Sequence, residues 1–473
     1  MYRGLRRVRF EAYFILMPLH AWMIRGRSTR RFYKELKSSE SSSKSELLAN
    51  QELRLNEIIM HAYNTTNFYK ARFDSLGIDP TTIISVEKLT ELPLLTKNDV
   101  SENLDSGLIS RVINPKHMLR INTSGSTGRP FTIYANREQL EIRFASTIRS
   151  LEWTGWKFGD KQARLWHQTI GMSFTQATRE RIDAWFMKRM FIPAFEISPK
   201  NIELFIEKIR KHKPVLIDGY AESLNFLATY IKSGGEANFS PVAIMSSAQA
   251  LPIKTREIIE EGFGTQVFDK YGSREFSGIA YECTAHGGHH VVDECYIVEI
   301  LVDGRKAIPG EVGEVVITDL FNRATPMIRY RIGDLAVALD NSVECECGLS
   351  HSRIGDIEGR TQAIVHCADG TWLPGTFFAH FFKDYENTIK LFQIKQSVKG
   401  SFTLKIVKSA GHSSQEMLKV IRSLEKYTGD TQIDVEYVEE IPLVRTGKRS
   451  PVVSDISEDF QTVPISSQIR KRE

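Results

Sequence analysis

The sequence lacks an apolar run long enough to span a bilayer, is poor in cysteine and carries no large surplus of either charge; each shortage closes off a class of function. The stretch Tyr13 to Ile24 is apolar but too short for a membrane span, and Pro18 and His20 interrupt it. Arg3, Arg6, Arg7 and Arg9 precede it, and Arg25, Arg27, Arg30 and Arg31 follow where a signal peptide would have a small-residue cleavage site. It therefore reads as uncleaved: either an opening helix packed on the body, or a basic amphipathic segment resting peripherally on the anionic inner face of a membrane. Five cysteines, an odd number spread over 473 residues, argue against a secreted disulfide framework and for a reducing, cytoplasmic setting. With 62 Lys and Arg against 58 Asp and Glu, the formal net charge of +4 is too small for phosphate neutralisation along a nucleic acid to dominate binding. Two motifs are missing as well. No serine sits in a Gly-x-Ser-x-Gly elbow, which removes a nucleophilic triad, and no glycine-rich stretch ends in Gly-Lys-Ser/Thr, which removes a P-loop.

What is present is a chain with 41% hydrophobic residues, enough for a large core and long enough for at least two domains. The polar run Ser39 to Ser45 predicts a flexible linker or surface loop, after which the main body starts. From about Leu47, helical stretches alternate with strand-like segments such as Met118–Asn122. Pro214–Tyr220, Pro241–Ser247 and Thr265–Tyr271 are apolar runs ending in small or polar residues; they fit strands buried on both faces, with ligands at their carboxyl ends. Tyr296–Val302 and Gly313–Thr318 bring an alternating, antiparallel or barrel-like pattern. Near Gly359 and Arg360 the character shifts to strands around Phe402–Val407 and Ile433–Tyr437, separated by a helix from about Ser414 to Tyr427. The expectation is an α/β fold, α+β in its C-terminal part: a basic, apolar segment and linker over 1–45, a large domain over 46–360, a small domain over 361–457 and a tail over 458–473.

The densest local signal is Ile121-Asn-Thr-Ser-Gly-Ser-Thr-Gly-Arg-Pro130, directly after a strand-like segment. Gly125 and Gly128 permit close approach and positive φ, Ser124, Ser126 and Thr127 supply donors, and Arg129 supplies fixed charge, so the loop can wrap an anion. In isolation an ordinary polar turn would read the same way. The loop is followed in order by Ser246-Ser-Ala-Gln-Ala-Leu-Pro252, Tyr271-Gly-Ser-Arg-Glu275, Arg329-Tyr-Arg-Ile-Gly-Asp334, Gly359-Arg360 and Gly447-Lys448. With this ordered set the chain, from about Leu47 to Val453, resembles the adenylate-forming superfamily. Within it, the chain is most similar to the phenylacetate–coenzyme A ligases and the CapK-type proteins of capsular polysaccharide biosynthesis.

That resemblance implies a large AMP-binding domain and a small mobile C-terminal domain, which use ATP and Mg2+ to turn a small carboxylate into an acyl-adenylate and pass it to a thiol, coenzyme A by default. It implies that Thr123, Ser124, Gly125, Ser126, Thr127, Gly128 and Arg129 hold the β- and γ-phosphates, with Arg129 where the family usually has Lys. Ser247, Ala248 and Gln249 would lie along the adenine, Tyr271 would cover its other face, and Gly272 and Ser273 continue that segment. Glu275 would hold magnesium; before it, Arg274 replaces the familiar Thr, with Ser273 as the substitute hydroxyl. Asp334 would accept both ribose hydroxyls, and Arg360 would reach ribose or phosphate, while Gln362 stands at the acidic hinge position. Lys448, beside Gly447, would bridge the carboxylate and the α-phosphate as charge builds on both. The CapK branch supplies a rival reading, an adenylyl- or acyl-transferring step in capsular or surface polysaccharide assembly with a glycan or protein-bound thiol as acceptor. Arg274 and Gln362 leave a third, a non-catalytic nucleotide-binding scaffold. The aromatic stretch from Arg164 to Ala194 reads equally as pocket lining or core.

Cys283 and the pair Cys345 and Cys347 place three thiols where imidazoles are near, a donor set that suits tetrahedral zinc once the fold joins the two halves. Free thiols are the alternative. The resemblance puts His290 in the ligand position, with His286 and His289 open; Cys295 and Cys367 read as plain thiols.

Overall fold

A computed structural model of the chain describes residues 8–14, 28–123, 131–166, 174–194, 202–234, 238–248, 251–360, 364–369, 372–374, 378, 381–382, 385, 387–441 and 451–456. The chain forms two compact units, one of residues 1–298, 317–330 and 339–355 and the other of residues 299–316, 331–338 and 356–473. Among the described residues no helix is long and apolar enough to cross a membrane.

In the first unit, a helix over 8–14 buries Tyr13 and Phe14, with Phe10, Tyr13 and Phe14 grouped around Phe158. This part of the basic N-terminus is a packed helix; the rest of the apolar run, 15–24, and residues 25–27 lie outside the described residues. Helices α1 (Thr29–Ser39) and α2 (Lys44–Thr65) follow. Of the two readings of Ser39–Ser45, the chain takes the surface loop: a short turn between these helices, with residues 40–43 exposed or half-buried. Ser43 Oγ accepts from the Glu46 N–H while the Glu46 carboxylate accepts from the Ser43 N–H at 2.7 Å. This capping box satisfies two of the N–H groups a helix start leaves without partners.

Strands β1 (Leu119–Thr123) and β2 (Phe131–Ala135) form an antiparallel hairpin with Thr123 opposite Phe131, and α3 (Arg137–Leu151) follows. Then come β3 (Gln162–Trp166), α4 (Phe174–Phe186), β4 (Arg189–Pro193), α5 (Ile202–His212), β5 (Leu216–Tyr220), α6 (Ala221–Lys232), β6 (Ala243–Ser247), α7 (Ile253–Phe263) and β7 (Val267–Ser273). The strands run parallel in the order β4-β3-β5-β6-β7. Every residue of β5 and β6 is buried, the pattern of parallel strands covered on both faces. Leu165, Ile217, Ile244 and Val267 pack with Phe205, Ile209, Leu224, Leu227 and Phe263 of the helices. At Gly262 an added Cβ would stand 2.8 Å from Ala228, so α6 and α7 approach more closely than a larger residue permits. Beyond β7, β8 (Ser277–Glu282) and β9 (His289–Val291) add antiparallel pairs, and Arg353 and Ile354 pair with β9, Arg353 opposite His290.

Residues 299–316 and 331–338 carry most of β10 (Tyr296–Val302), β11 (Arg305–Lys306), β12 (Val312–Asp319) and β13 (Tyr330–Ala338), which lie in the order β11-β10-β12-β13. β14 (Arg353–Arg360) leads to the β15 (Ile364–His366) and β16 (Trp372–Pro374) pair. A sheet in the order β19-β18-β17-β20 is built from β17 (Ile389–Val398), β18 (Ser401–Lys408), β19 (Gln432–Tyr437) and β20 (Val452–Ser454). Helix α8 (Ser414–Thr428) carries the chain from β18 to the parallel β19. It buries Met417, Val420 and Leu424 with Phe402, Leu404 and Ile406, each large apolar side chain contributing roughly 1.5–3 kcal/mol.

Candidate active site and metal centre

Parallel strands present their carboxyl ends along one edge, the place where such sheets bind ligands. Here that edge carries Trp166, Tyr220, Ser247 and Ser273, the last residues of β3, β5, β6 and β7. Trp166 and Tyr220 stack with centroids 4.4 Å apart and planes 8° from parallel; the Arg164 guanidinium lies 4.5 Å over Trp166 and 3.1 Å from Asp218. Ser247, the last residue of β6, pairs with Lys270 of β7, the residue before Tyr271. Ala248 has φ +67°, a left-handed backbone that costs a residue with a Cβ roughly 1–2 kcal/mol and that gathers at functional sites. Among the described residues the aromatics of the stretch from Arg164 to Ala194 are separated: Trp166 stands at this edge, whereas Trp185 is 68% exposed at the end of α4 and Phe186 packs on Tyr13. Gln249 and His167 lie outside the described residues.

Between β7 and β8 the chain turns through Arg274, Glu275 and Phe276. At Gly272 a Cβ would be 2.1 Å from the Ser277 carbonyl oxygen, so only glycine fits. Three contacts brace the turn. Ser273 Oγ accepts from the Phe276 N–H at 3.2 Å, the Tyr296 hydroxyl donates to the Phe276 carbonyl, and Arg143 of α3 donates to the carbonyls of Glu275 at 2.8 Å and Arg274 at 3.1 Å. Glu275 thus sits half-buried on a fixed turn while Arg274 is exposed. Sequence reasoning missed Arg143; the available signal was an arginine on the buried stripe of α3, between Ile142 and Ala145.

Thr123 closes β1, and Ser124 to Arg129 lie outside the described residues, as does the side chain of Thr123. The hairpin that flanks them is fastened by residues 319–330. The Tyr134 N–H donates to Thr325 Oγ1 at 3.1 Å, the Arg323 N–H donates to Asn136 Oδ1 at 2.9 Å, and the Phe131 and Tyr330 rings stack at 6.0 Å. In the other unit, Asp334 is buried in β13, where Arg331 pairs with Glu314 at 2.9 Å. Arg360 closes β14 with its side chain outside the description; Gln362, Gly447 and Lys448 lie outside the described residues.

Cys283 follows β8, His290 lies in β9, and Cys345 and Cys347 sit in the loop before Arg353; their ligand atoms all fall within 4.8 Å of one another. Tetrahedral zinc with sulfur at about 2.3 Å and nitrogen at about 2.0 Å separates two sulfurs by about 3.8 Å and a sulfur from a nitrogen by about 3.5 Å. Cys283 Sγ and Cys345 Sγ are 3.7 Å apart, and Cys347 Sγ is 3.3 Å from His290 Nε2. The donor set fits. His290 Nδ1 lies 3.2 Å from the His351 carbonyl, which can only accept; Nδ1 therefore carries the proton and Nε2 presents its lone pair to the thiols. Burial lowers the His290 pKa to about 4, which keeps the ring in its neutral, ligating form. The same burial raises the Cys283 thiol and lifts Cys347 to about 12, whereas at Cys345 burial is outweighed by hydrogen bonds with Cys347 and Cys283 and the shift is downward; a divalent cation would favour the thiolate at all three. Behind the cluster, buried Arg149 donates to both Glu294 oxygens at 3.1 Å, and His351 Nε2 meets Glu294 at 2.9 Å, which fixes the residue whose carbonyl orients His290. His286 and His289 are engaged elsewhere, by Glu282 at 3.3 Å and Asp269 at 3.1 Å. Cys295 and Cys367 are buried apart from this group, and burial drives the Cys295 thiol well above its ordinary value.

Residues 366–455 match the family described as the CapK C-terminal domain. Over 437 residues the chain is 23% identical to protein CapK of Staphylococcus aureus, covering 91% of this chain and 94% of that protein. It is 26% identical over 335 residues to phenylacetate–coenzyme A ligase of Thermus thermophilus, covering 69% of this chain and 73% of that one. Among solved structures, 2-hydroxyisobutyryl-CoA ligase in its postadenylation state superposes with a TM-score of 0.69 at 18% identity, covering 88% of this chain and 91% of that one. The chain is thus similar to CapK and to the phenylacetate–coenzyme A ligases, and it has the fold of the adenylate-forming ligases.

Proposed function

We propose that this chain uses ATP and Mg2+ to activate a carboxylate as an acyl-adenylate and then passes the acyl group to a thiol, as an acid–thiol ligase. The observation that carries the reading is the carboxyl edge of the sheet, where strained Ala248 follows β6, Tyr271 lies in the neighbouring β7 and the Glu275 turn is braced by Arg143. In this reading Ser247 to Gln249 and Tyr271 enclose the adenine, Thr123 to Arg129 hold the phosphates and Glu275 holds magnesium. Asp334 and Arg360 take the ribose. Lys448 stabilises the charge that develops as the carboxylate attacks the α-phosphorus and pyrophosphate leaves. Zinc, held by Cys283, His290, Cys345 and Cys347, would tie the β8–β9 turn to the loop before Arg353 and take no part in the chemistry. A swinging C-terminal domain over 361–457 would open the adenylate to its acceptor, in the cytoplasm or at the inner face of a membrane.

A second reading concerns the acceptor. Similarity to CapK runs along 91% of the chain, against 69% for the phenylacetate–coenzyme A ligase, and the C-terminal residues match the CapK domain. This favours a CapK-type transfer to a glycan or protein-bound thiol in surface polysaccharide assembly.

Both readings share one test: pyrophosphate release from ATP with a panel of aryl, short-chain and long-chain carboxylates, comparing the native protein with Lys448→Ala. Carboxylate-dependent release that falls by at least about 100-fold in the variant supports adenylation; silence from both proteins with ATP still bound leaves the scaffold. Dependence of the acyl product on added coenzyme A then separates the two acceptors.

A further inference from the structure

At the amino-terminal edge of the same parallel strands a cavity of about 520 Å3 is lined by Arg9, Lys161, Arg181, Lys188, Arg189 and His212, and among the described residues no acidic side chain lines it. Lys161 precedes β3 and Arg189 opens β4, so the cavity stands about 15 Å, one strand length, from Trp166 and Tyr220. Arg9, Lys161, Arg181 and Arg189 form no ion pair with a carboxylate among the described residues. Arg189 Nε donates to the neutral Gln162 Oε1 at 2.9 Å, and Arg9 donates to the carbonyls of Phe186, at 2.5 Å, and Trp185 at the end of α4. His212 Nε2 lies 3.2 Å from the carbonyls of Gln162 and Lys188.

The ends of α4 and α5 offer about half a negative charge each, which does not offset four full cations. Asp218 and Glu180 act on Arg189 from farther off, yet burial and the neighbouring Arg164 outweigh them and lower its pKa to about 10. Uncompensated guanidinium groups around a concave surface are the arrangement that forks onto phosphate oxygens.

We propose that this cavity is a phosphate-binding site distinct from the nucleotide site, taking a phosphate monoester or diphosphate group carried by a soluble ligand or by a lipid headgroup. The indole of Trp185, 68% exposed with the Arg9 guanidinium 5.3 Å from its centroid, gives the remainder of the ligand an apolar face. The site stands whether or not the chain adenylates a carboxylate.

Trp185 also provides the readout. The full chain is titrated with inorganic phosphate by tryptophan fluorescence, with Trp185→Phe as the location control, and is sedimented with phosphatidylglycerol or phosphatidylcholine vesicles. The perturbation is Lys161→Glu with Arg181→Glu, two exposed side chains whose reversal leaves the core intact; if thermal unfolding shows that this double variant is damaged, Arg181→Gln takes its place. A saturable phosphate response that Trp185→Phe removes and the charge reversal weakens at least about tenfold assigns a soluble phosphorylated ligand. Silence toward phosphate, with sedimentation on phosphatidylglycerol vesicles alone that the reversal abolishes, assigns a lipid headgroup. Absence of both responses, or responses that the reversal leaves unchanged, overturns the site.

Discussion

Removing one thiol from the four-residue cluster tests the metal assignment with a magnitude that follows from the chain itself. Cys283 and Cys345 lie 62 residues apart, so a cation held by both closes a loop of that length. A cross-link over such a loop removes about 4 kcal/mol of chain entropy from the unfolded state. For a unit of about 330 residues, that loss lowers the melting temperature by about 6 °C. The protein is purified without added metal, its zinc is measured by mass spectrometry, and its melting is followed with and without a chelator. We expect one zinc per chain, a fall of about that size on chelation, and the same low melting point in Cys345→Ala, on which the chelator has no further effect. Cys367→Ser keeps its zinc. A native protein that neither contains zinc nor takes it up, with melting indifferent to the chelator, would show that the cluster is three thiols and an imidazole packed together.

Three further outcomes follow from contacts described above. Arg143→Ala leaves the carbonyls of Arg274 and Glu275 without their donor, so kcat/KM for pyrophosphate release falls by about 10- to 100-fold while ATP binding changes less; Arg143→Lys recovers part of the loss. Gly272→Ala drives a methyl group to 2.1 Å from the Ser277 carbonyl, which costs about 2–3 kcal/mol of stability in chemical denaturation and displaces the turn that carries Glu275. Glu282 is buried, which opposes its ionisation, but His286, His289 and Arg256 hold its pKa at about 2, below the ordinary 4.5. Its carboxylate therefore contributes stability that is fully present above pH 4.5 and lost as pH falls toward 2, at most about 3 kcal/mol. In acid titrations Glu282→Gln flattens that part of the native curve.

The strands were legible where burial left no choice. Leu216–Tyr220 and Ala243–Ser247 are covered on both faces and stand out as apolar runs, and the helix at Ser414–Thr428 shows its period directly. At Ser39–Ser45 composition left linker and surface loop open, whereas position could have decided: Ser43 and Glu46, three residues apart, already spelled a helix start. The pair Cys345 and Cys347 was visible, but its meeting with Cys283 and His290 depends on the strand pairing that sets Arg353 opposite His290. Arg143 and the phosphate cavity were invisible for the same reason: a single arginine on a helix, or cations drawn from positions 9 to 212, carry no local pattern.

The discontinuity of the first unit bears on how the chain is made. Residues 317–330 and 339–355 return to that unit after its first 298 residues have been synthesised. At about 5–20 residues per second, Cys283 leaves the ribosome several seconds to about a dozen seconds before Cys345 can join it. During that interval the β8–β9 turn has one cluster thiol and one imidazole and no closing partner. Any metal that binds late therefore registers the completion of the unit, and a chain stalled before residue 345 would present those two ligands unclosed to the quality-control machinery of the cell.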